Sequence, residues 1–417
     1  MPREDGVDNV RSMARRLGPD FTKLWFASAV SNFGDGMTMA AGPLLLASLT
    51  DDPALVAGAV FAHQLPWLLF SLLSGVIVDR LDRRRLAVVA NVARGVVVAG
   101  LAAAIWTGHA SVPVVYACLF LLGVGETIAD NAQSALLPAV VAPEHLPRAN
   151  SRLMATHILG NQLVAPPVGA ALFVVAAAVP FGLDAVSFLV AALLIAALRG
   201  VPAQAPVQRR TVRAEIGEGL RWLWRHRVLR TLALCLCLMN LTLMGVVSIL
   251  VLYSAERLDL DPRWFGLLLS AIAVGGVLGT AVASRLIDRF GPTVLLRVGL
   301  VVEAATHLGL ALARDVWAAG GVLAVFGVHA VVWNVITQSL RQREVPDALR
   351  GRVGSAYFLL STGGSALGAL VGGLLARQFG ITAPFWFALV VVAGVAVVAW
   401  RPFAAATGPH RAAPVPT

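Results

Sequence analysis

Apolar runs of about 20 residues recur from residue 21 almost to the end of the chain, and each has the length that a transmembrane helix needs. The chain has 417 residues, of which 58% are hydrophobic and 13% are charged. Soluble domains have about 45–50% apolar and about 25% charged residues, so this balance excludes a separate soluble domain. We predict an all-α membrane protein with twelve transmembrane helices. Their predicted ranges are 21–49, 54–78, 86–107, 112–137, 149–178, 182–199, 228–253, 263–285, 293–312, 316–340, 352–376 and 381–400.

The basic residues are concentrated in alternate loops. Of the 33 lysine and arginine residues, 28 fall in the N-terminal segment, the loops after even-numbered helices and the C-terminal tail. Because positively charged loops stay in the cytoplasm, we expect both termini there and a multi-pass protein of the cell membrane. The net charge of +10 then sets the orientation and does not indicate a nucleic-acid partner.

The predicted helices form two halves of six. A shift of 209 residues aligns Gly36 with Gly245, and a shift of 203 aligns Gly169 with Gly372. Such parallel repeats with pseudo-symmetry are typical of a large class of secondary transporters. The predicted segments are a cytoplasmic tail at 1–20, an N-terminal half at 21–199, a cytoplasmic linker at 200–227, a C-terminal half at 228–401 and a cytoplasmic tail at 402–417.

The linker at 200–227 is proline-rich at first and then amphipathic. Basic amphipathic segments bind the anionic surface of a membrane, so this segment is expected either to lie on the cytoplasmic leaflet or simply to join the two halves. The residues predicted to share its apolar face are Ile216, Leu220, Leu223 and Trp224.

The loop after the second predicted helix combines a glycine, an Asp-Arg pair and a basic cluster. Its residues are Gly75, Asp79, Arg80, Arg83 and Arg84. This pattern resembles the signature loop of the major facilitator superfamily, in which glycine allows close helix approach. The resemblance implies the major facilitator fold, and it implies that the loop joins the two halves on the cytoplasmic side and releases them as the carrier changes state.

Three further stretches, at 136–150, 183–189 and 218–226, resemble the macrolide-efflux and enterobactin-exporter branch of drug:proton antiporters, and the resemblance covers residues 20–400. In the fifth predicted helix, a segment is similar to the antiporter motif of the superfamily. Its prolines are expected to kink the helix, and its small residues are expected to let the halves pack closely. The residues of this antiporter-like motif are Gly160, Pro166, Pro167 and Gly169.

Asp35 lies near the middle of the first predicted helix, where Asn32 and Thr38 also make the segment polar. A carboxylate inside the bilayer is costly and usually functional. In the superfamily that the chain resembles, this helix lines the central cavity. We therefore expect Asp35 to exchange a proton or to bind a cationic substrate. The alternative is a buried aspartate that is hydrogen-bonded to an adjacent helix, for example to His63.

Glu126 and Asp130 are four residues apart and therefore share one face of the fourth predicted helix. Two carboxylates in an apolar cavity favour reversible protonation. Alternatively, Arg94 of the third predicted helix pairs with Asp130, which leaves Glu126 as the group that takes up protons. Both arrangements are compatible with the sequence.

The repeat aligns Glu126 with His329 and Arg94 with Glu303, so complementary groups occupy equivalent sites in the two halves. His329 is a candidate for proton coupling, whereas we expect His157 and His307 to be packing residues. Polar and aromatic residues near His329 are candidates for the wall of a substrate cavity. These are Trp333, Asn334 and Thr337.

No motif of an enzyme is present in the sequence. Lys23 is the single lysine and follows Thr22, so no Gly-Lys-Ser/Thr phosphate loop exists. We expect no cofactor and no metal site. The leading hypothesis is a monomeric secondary transporter that exports a small hydrophobic or amphipathic organic compound by proton antiport and alternating access. The alternatives are a proton-coupled uptake symporter of a small metabolite and a non-transporting membrane receptor.

Overall fold

The computed structural model describes residues 17–199 and 212–405, and the predictions for the segments 1–16, 200–211 and 406–417 lie outside the described residues. The described chain is built from helices. Their bounds are α1 Pro19–Leu49, α2 Pro53–Arg80, α3 Arg83–Trp106, α4 Val112–Val140, α5 146–175, α6 Val179–Ala196, α7 Val212–Arg225, α8 Arg227–Val247, α9 262–290, α10 292–312, α11 Val316–Glu344, α12 Arg350–Phe379 and α13 Ala383–Ala405.

Aspartates begin several of these helices. Asp52 accepts a hydrogen bond from the backbone N–H of Ala54 at 2.9 Å at the start of α2. Asp82 accepts one from the N–H of Arg85 at 2.9 Å at the start of α3, and Asp315 accepts two at the start of α11. A carboxylate at this position satisfies N–H groups that have no partner within the helix. The acidic residues of the loops therefore fix where these apolar helices begin.

Ten helical runs in the described ranges are long and apolar enough to cross a membrane. One of them, Pro262–Leu312, has 51 residues and is broken at Gly291, whose φ of 75° and ψ of 157° are not helical. Glycine adopts this conformation without steric cost, and α9 and α10 are the two helices that result. The polar α1 is not among the ten runs, although it has 31 residues.

The two halves use equivalent glycine contacts. A Cβ atom at Gly36 of α1 would collide with the backbone of Asn161 in α5, and one at Gly245 of α8 would meet Gly368 of α12. In the same way, Gly169 of α5 packs on the backbone of α1, and Gly372 of α12 packs on the backbone of α8. Helices without side chains at the contact can approach closely. The α1–α5 and α8–α12 pairs are therefore structural counterparts.

Contacts between the halves also come in two related pairs, α2 with α12 and α5 with α9. A Cβ at Gly373 of α12 would meet Ala54 and Ala57 of α2, and one at Gly266 of α9 would collide with the backbone of Pro166 in α5. In addition, Ser270 donates a hydrogen bond to the carbonyl of Leu163 at 2.6 Å. Exchanging the halves converts one pair of contacts into the other, as a pseudo-two-fold axis requires.

The cores differ between the two ends of the helices. At the end that carries the loops 50–52, 107–111, 176–178, 258–261, 313–315 and 380–382, one continuous core includes residues of both halves. At the opposite end each half has a core of its own. We call the first end the closed end and the second the open end. Residues of the shared core include Leu44, Val56, Leu119, Phe181, Val251, Phe265, Leu323 and Phe385.

The helix α7 in the linker packs on the C-terminal half. Leu223 is buried in the core of that half, Gly219 lies against the backbone of Arg352, and Glu218 forms an ion pair of 2.8 Å with Arg352. Leu223 belongs to the predicted apolar face of the linker, whereas two other residues of that face are not buried with it. Leu220 and Trp224 are exposed because close approach to α12 selects the face with the glycine, and the Ile216 side chain lies outside the described part.

Candidate functional site

Five helices of the N-terminal half contribute ionisable side chains to one region of its interior, which we call the N-half cluster. It combines four carboxylates with one guanidinium and one imidazole. Its members are Asp35 of α1, His63 of α2, Arg94 of α3, Glu126 and Asp130 of α4, and Asp184 of α6.

Arg94 forms its ion pair with Asp35. The guanidinium Nη2 lies 2.6 Å from the carboxylate Oδ1 of Asp35, and the guanidinium carbon lies 4.1 Å from the centre of the Phe188 ring. The Arg94 side chain is buried, while that of Asp35 is 25% exposed. A Cβ at Gly125 would collide with the arginine side chain, so the glycine makes room for it. Neither pairing considered from the sequence, Asp35 with His63 or Arg94 with Asp130, is present in the structure.

Glu126 is held by α2. Its Oε2 lies 3.2 Å from Nε2 of His63 and accepts a hydrogen bond of 3.3 Å from the indole N–H of Trp67. The Trp67 ring lies 6.2 Å from the ring of Phe358, which belongs to α12 of the other half. The side chains of His63 and Glu126 are 40% and 23% exposed. This pair is therefore accessible and lies beside the contact between the halves.

Asp130 is exposed and forms no ion pair within the described residues. The charges that act on it are those of Glu126, Arg94 and Asp35. Its position one helical turn from Glu126 agrees with the predicted shared face of α4. The structure therefore brings the two carboxylates into one cluster but assigns the nearby guanidinium to Asp35.

Asp184 is the residue that sequence reasoning missed. It is completely buried, and its carboxylate accepts hydrogen bonds from Thr38 at 2.6 Å and from Ser187 at 3.2 Å. A Cβ at Gly34 would collide with this carboxylate. The available signal was a single acid within the apolar run of the sixth predicted helix. Thr38 was a candidate for the substrate cavity, but its hydroxyl instead donates a hydrogen bond to Asp184.

Asn32 is also held within the protein. Its side-chain N–H groups donate to the carbonyl and the hydroxyl of Ser28, and its Oδ1 lies 3.1 Å from Nδ1 of His157. Asn161 donates to the backbone carbonyl of Asn32 at 2.9 Å. His157 is thus part of a polar contact between α1 and α5, where the sequence favoured a packing role, because the π-helical stretch turns its ring towards α1.

The C-terminal half contains a second group of ionisable residues, which we call the C-half cluster: Glu303 and His307 of α10 and His329 of α11. Nε2 of His329 lies 3.1 Å from Oε2 of Glu303, and Nε2 of His307 lies 3.7 Å from Oε1. All three side chains are buried. His307 therefore lies beside a carboxylate, where the sequence favoured a packing role.

Aromatic residues enclose the C-half cluster. The ring of Trp333 lies 5.9 Å from His329 and 6.1 Å from Phe403, and it is buried with no hydrogen-bond partner for its indole N–H. The prediction that Trp333 lines a cavity therefore does not match its place in this conformation. Asn334 is exposed, and Thr337 donates only to carbonyls of its own helix.

Two arginines of the loop motif donate hydrogen bonds within their own half. Arg83 donates to the carbonyl of Ala135 at 3.0 Å, and Arg84 donates to the carbonyl of Ala196. A Cβ at Gly75 would meet no atom within 4 Å. The close approach predicted at Gly75 is absent because the halves are separated at the open end. The side chains of Asp79 and Arg80 lie outside the described part of the chain.

The antiporter-like motif is wedged between α1 and α9. Pro166 and Pro167 lie against Gly266 of the other half, and Gly169 packs on the backbone of Met37. Gly160, in contrast, has open space where its Cβ would be. The π-helical stretch His157–Val164 directly precedes the prolines, which lack the N–H groups that a regular helix would use. The motif thus combines an irregular helix with contacts to both neighbours.

Comparison with known proteins places the chain among membrane transporters. The family described as transmembrane secretion effector matches residues 16–407. The multidrug efflux pump Tap of Mycolicibacterium fortuitum is 30% identical over 377 residues, which cover 86% of this chain and 90% of the pump. The enterobactin exporter EntS of Escherichia coli is 25% identical over 366 residues, which cover 85% of each chain.

A solved structure shares the fold at lower identity. The bacterial homologue of the iron transporter ferroportin in its inward-facing state superposes with a TM-score of 0.74 and is 19% identical. The match covers 94% of this chain and 99% of that structure. The comparison extends across both halves and therefore supports a single transporter fold for the whole chain.

Proposed function

Because this chain belongs to the transmembrane secretion effector family, whose relatives here are exporters of the major facilitator superfamily, we propose that it exports a small hydrophobic or amphipathic organic compound by proton antiport. The chain is a multi-pass membrane transporter and not an enzyme. The observation that carries the proposal is the surplus of carboxylates in the N-half cluster, where four acids surround one arginine.

The surplus has a physical consequence. Each uncompensated charge in an apolar interior costs several kcal/mol, and ionisation of all four acids would leave several negative charges beside Arg94. Binding of protons or of a cationic group removes this cost. Glu126, Asp130 and Asp35 are accessible, so they can exchange protons with water in a central cavity. We assign proton coupling to these residues.

We propose twelve transmembrane helices, a number that is supported by adding the polar α1 and the break at Gly291 to the ten apolar runs. We propose that the open end, which carries the basic loops, faces the cytoplasm together with both termini, in the cell membrane. The closed end then faces outward. There Arg377 of α12 lies 3.5 Å from Asp52 before α2 and joins the halves. We expect the monomer to contain the complete pathway.

Alternating access then uses the two ends in turn. In the conformation described here the cavity opens to the cytoplasm, and Arg83 and Arg84 bind carbonyls of the N-terminal half. In the outward-open conformation the halves meet at the cytoplasmic end, where the signature loop joins them. Protonation of Asp35 removes its ion pair with Arg94, which is the side-chain link between α1 and α3. We propose that this change couples proton influx to substrate export, and that Asn334 and Thr337 face the substrate.

Transport by an Asp35→Asn variant tests the proposal. A bacterial strain without its main efflux pumps, expressing the chain, first identifies a compound to which it confers resistance. Uptake of that compound into everted membrane vesicles under a proton gradient is then measured. We expect the variant to fall to the level of vesicles without the protein, because asparagine cannot take up a proton.

Asp51→Asn is the matched control, since Asp51 is an exposed loop residue of the same half and its substitution should leave transport unchanged. Full gradient-driven transport by Asp35→Asn would disprove the coupling role of Asp35. Transport in the opposite direction, with the compound accumulating in cells, would favour an uptake symporter. Absence of flux for the whole compound panel in proteoliposomes would favour a receptor.

A further inference from the structure

Asp184 is a fully buried carboxylate without a cation of its own. Its hydrogen bonds come from two neutral hydroxyls, those of Thr38 on α1 and Ser187 on its own helix. Within the described ranges it forms no ion pair, since the buried arginine of this half donates to Asp35 instead.

The guanidinium of Arg94 interacts electrostatically with two carboxylates at this site. The charged groups that act on Asp184 are Asp35 of α1 and Arg94 of α3. Arg94 stacks on the ring of Phe188 at 4.1 Å, and Phe188 lies one helical turn after Asp184, on the same face of α6. Arg94 thus acts on both acids while it is hydrogen-bonded to Asp35, and its Nε–H has no hydrogen-bond partner.

We call Asp35, Arg94 and Asp184 the trio. Its charge balance fixes how many protons the two carboxylates carry together. With Asp35 ionised and paired, a second ionised carboxylate would be uncompensated in an interior that water does not reach, at a cost of several kcal/mol. The hydroxyls of Thr38 and Ser187 serve a neutral carboxylic acid equally well, since a hydroxyl both donates and accepts.

We propose that Asp184 is a second proton-carrying residue of the coupling site, protonated while Arg94 pairs with Asp35 and deprotonated when Arg94 pairs with Asp184 instead. When a proton bonds to Asp35, its ion pair with Arg94 is lost. The guanidinium then pairs with Asp184, whose O–H bond breaks and whose proton leaves to water that enters the cavity. One proton is gained and one is lost, and the trio stays neutral throughout.

The position of Thr38 links this exchange to helix movement. Thr38 lies three residues after Asp35 on α1 and donates to Asp184 on α6, so α1 carries both the first acid and a hydrogen-bond partner of the second. Gly34 on the same helix leaves the space that the Asp184 carboxylate fills. A change of proton from one acid to the other therefore alters the contact between α1 and α6 directly.

Infrared spectroscopy of the purified full-length protein in lipid nanodiscs tests the proposal without any substrate. At neutral pH we expect a carbonyl band of a protonated carboxylic acid that Asp184→Asn removes. Asp35→Asn should remove the same band, because Arg94 then pairs with Asp184 and holds it ionised. Thr38→Val should retain the band but move it to higher frequency, since one hydrogen bond is lost, and this variant keeps the test valid if Asp184→Asn does not fold.

Three outcomes would overturn the proposal. A band that is unchanged in Asp184→Asn, or unaffected by Thr38→Val, means that Asp184 is ionised. A band that persists in Asp35→Asn means that the two acids do not share Arg94. That transport uses the proton of Asp184 rests on the proposed function, and a transport assay measures this separately. Gradient-driven transport should be lost in Asp184→Asn and retained in Asp51→Asn, and a normal band pattern without any transport would reject the export function alone.

Discussion

The N-half and C-half clusters lie in corresponding repeats, yet they differ in charge and in burial. The N-half cluster has four carboxylates, one arginine and one histidine, and several of its side chains are partly exposed. The C-half cluster has one carboxylate between two histidines, all buried among aromatic rings. Both halves share the glycine contacts of α1 with α5 and of α8 with α12. The repeat therefore supplies a common scaffold, whereas the local charge balance separates the roles of the halves.

Charge balance, together with access to water, explains why we assign coupling to one half, since Asp184 of the N-half cluster is as deeply buried as Glu303 of the C-half cluster. A group that exchanges protons during transport must reach water in at least one conformation, and Asp35, Glu126 and Asp130 do so here. Glu303 is sealed by His307, His329 and the ring of Trp333. A single positive charge would balance the one carboxylate of the C-half cluster, so this cluster has no surplus of acids to relieve. We expect this cluster to hold α10 against α11.

Loss of Arg94 should have the largest effect of the substitutions that compare the clusters. Arg94→Gln leaves the partly exposed carboxylate of Asp35 without its cation. Removal of one partner of a buried pair costs about 3–5 kcal/mol in the free energy of unfolding, and we expect a loss near the lower limit. Thermal unfolding in detergent at neutral pH measures this loss. The deficit should shrink as the pH is lowered, because the carboxylates then take up protons, and Arg94→Gln combined with Asp35→Asn should recover much of the stability.

Glu303→Gln should have a smaller effect that is confined to stability. Glutamine leaves two histidines that can be neutral, so no uncompensated charge remains, and the expected loss is about 1–3 kcal/mol for the lost hydrogen bonds. The pH dependence of transport in everted vesicles should match that of the unchanged protein. A shifted pH profile in this variant, or in His329→Gln, would instead assign part of the coupling to the C-terminal half.

Matched glycine substitutions should have the smallest effects and should still distinguish the clusters. Gly34→Ala adds a methyl group against the Asp184 carboxylate, and Gly299→Ala adds one against the rings of His329 and Trp333. Overpacking of this kind costs about 1–3 kcal/mol, and we expect both variants near the lower limit in thermal unfolding.

Only Gly34→Ala should also alter the pH profile of transport, because it displaces an acid of the coupling site. An equal change of that profile in Gly299→Ala would contradict the proposed division between the halves.

Much of the architecture could be predicted from the sequence. The family resemblance, the helical membrane class and the assignment as a transporter are confirmed, because apolar length and loop chemistry are local properties. The bounds of the helices agree with the predicted ranges to within a few residues at most positions, and Gly291 separates the helices predicted at 263–285 and 293–312. The roles of the candidate site residues remain predictions.

The ion pairs could not be derived in the same way. The similar depth of Arg94 and Asp130 favoured these two as partners, and the pair of Arg94 with Asp35 was not among the alternatives drawn from the sequence. The structure pairs Arg94 with Asp35 because the rotation of α3 directs the side chain past Gly125 towards α1 and Phe188. Asp184 was overlooked for a related reason, since its partner Thr38 is 146 residues away along the chain.

The sequence by itself determined the apolar runs, their repetition in two halves, the asymmetric loop charges and the number of acids left among the apolar residues. Each of these depends on residue type and spacing along one helix. Only the tertiary structure decided which acid meets Arg94, which histidines enclose Glu303, which face of α7 is buried and which end is closed. These features depend on how separate helices rotate and approach one another, and that is fixed by long-range contacts at residues such as Gly36, Gly266 and Gly373.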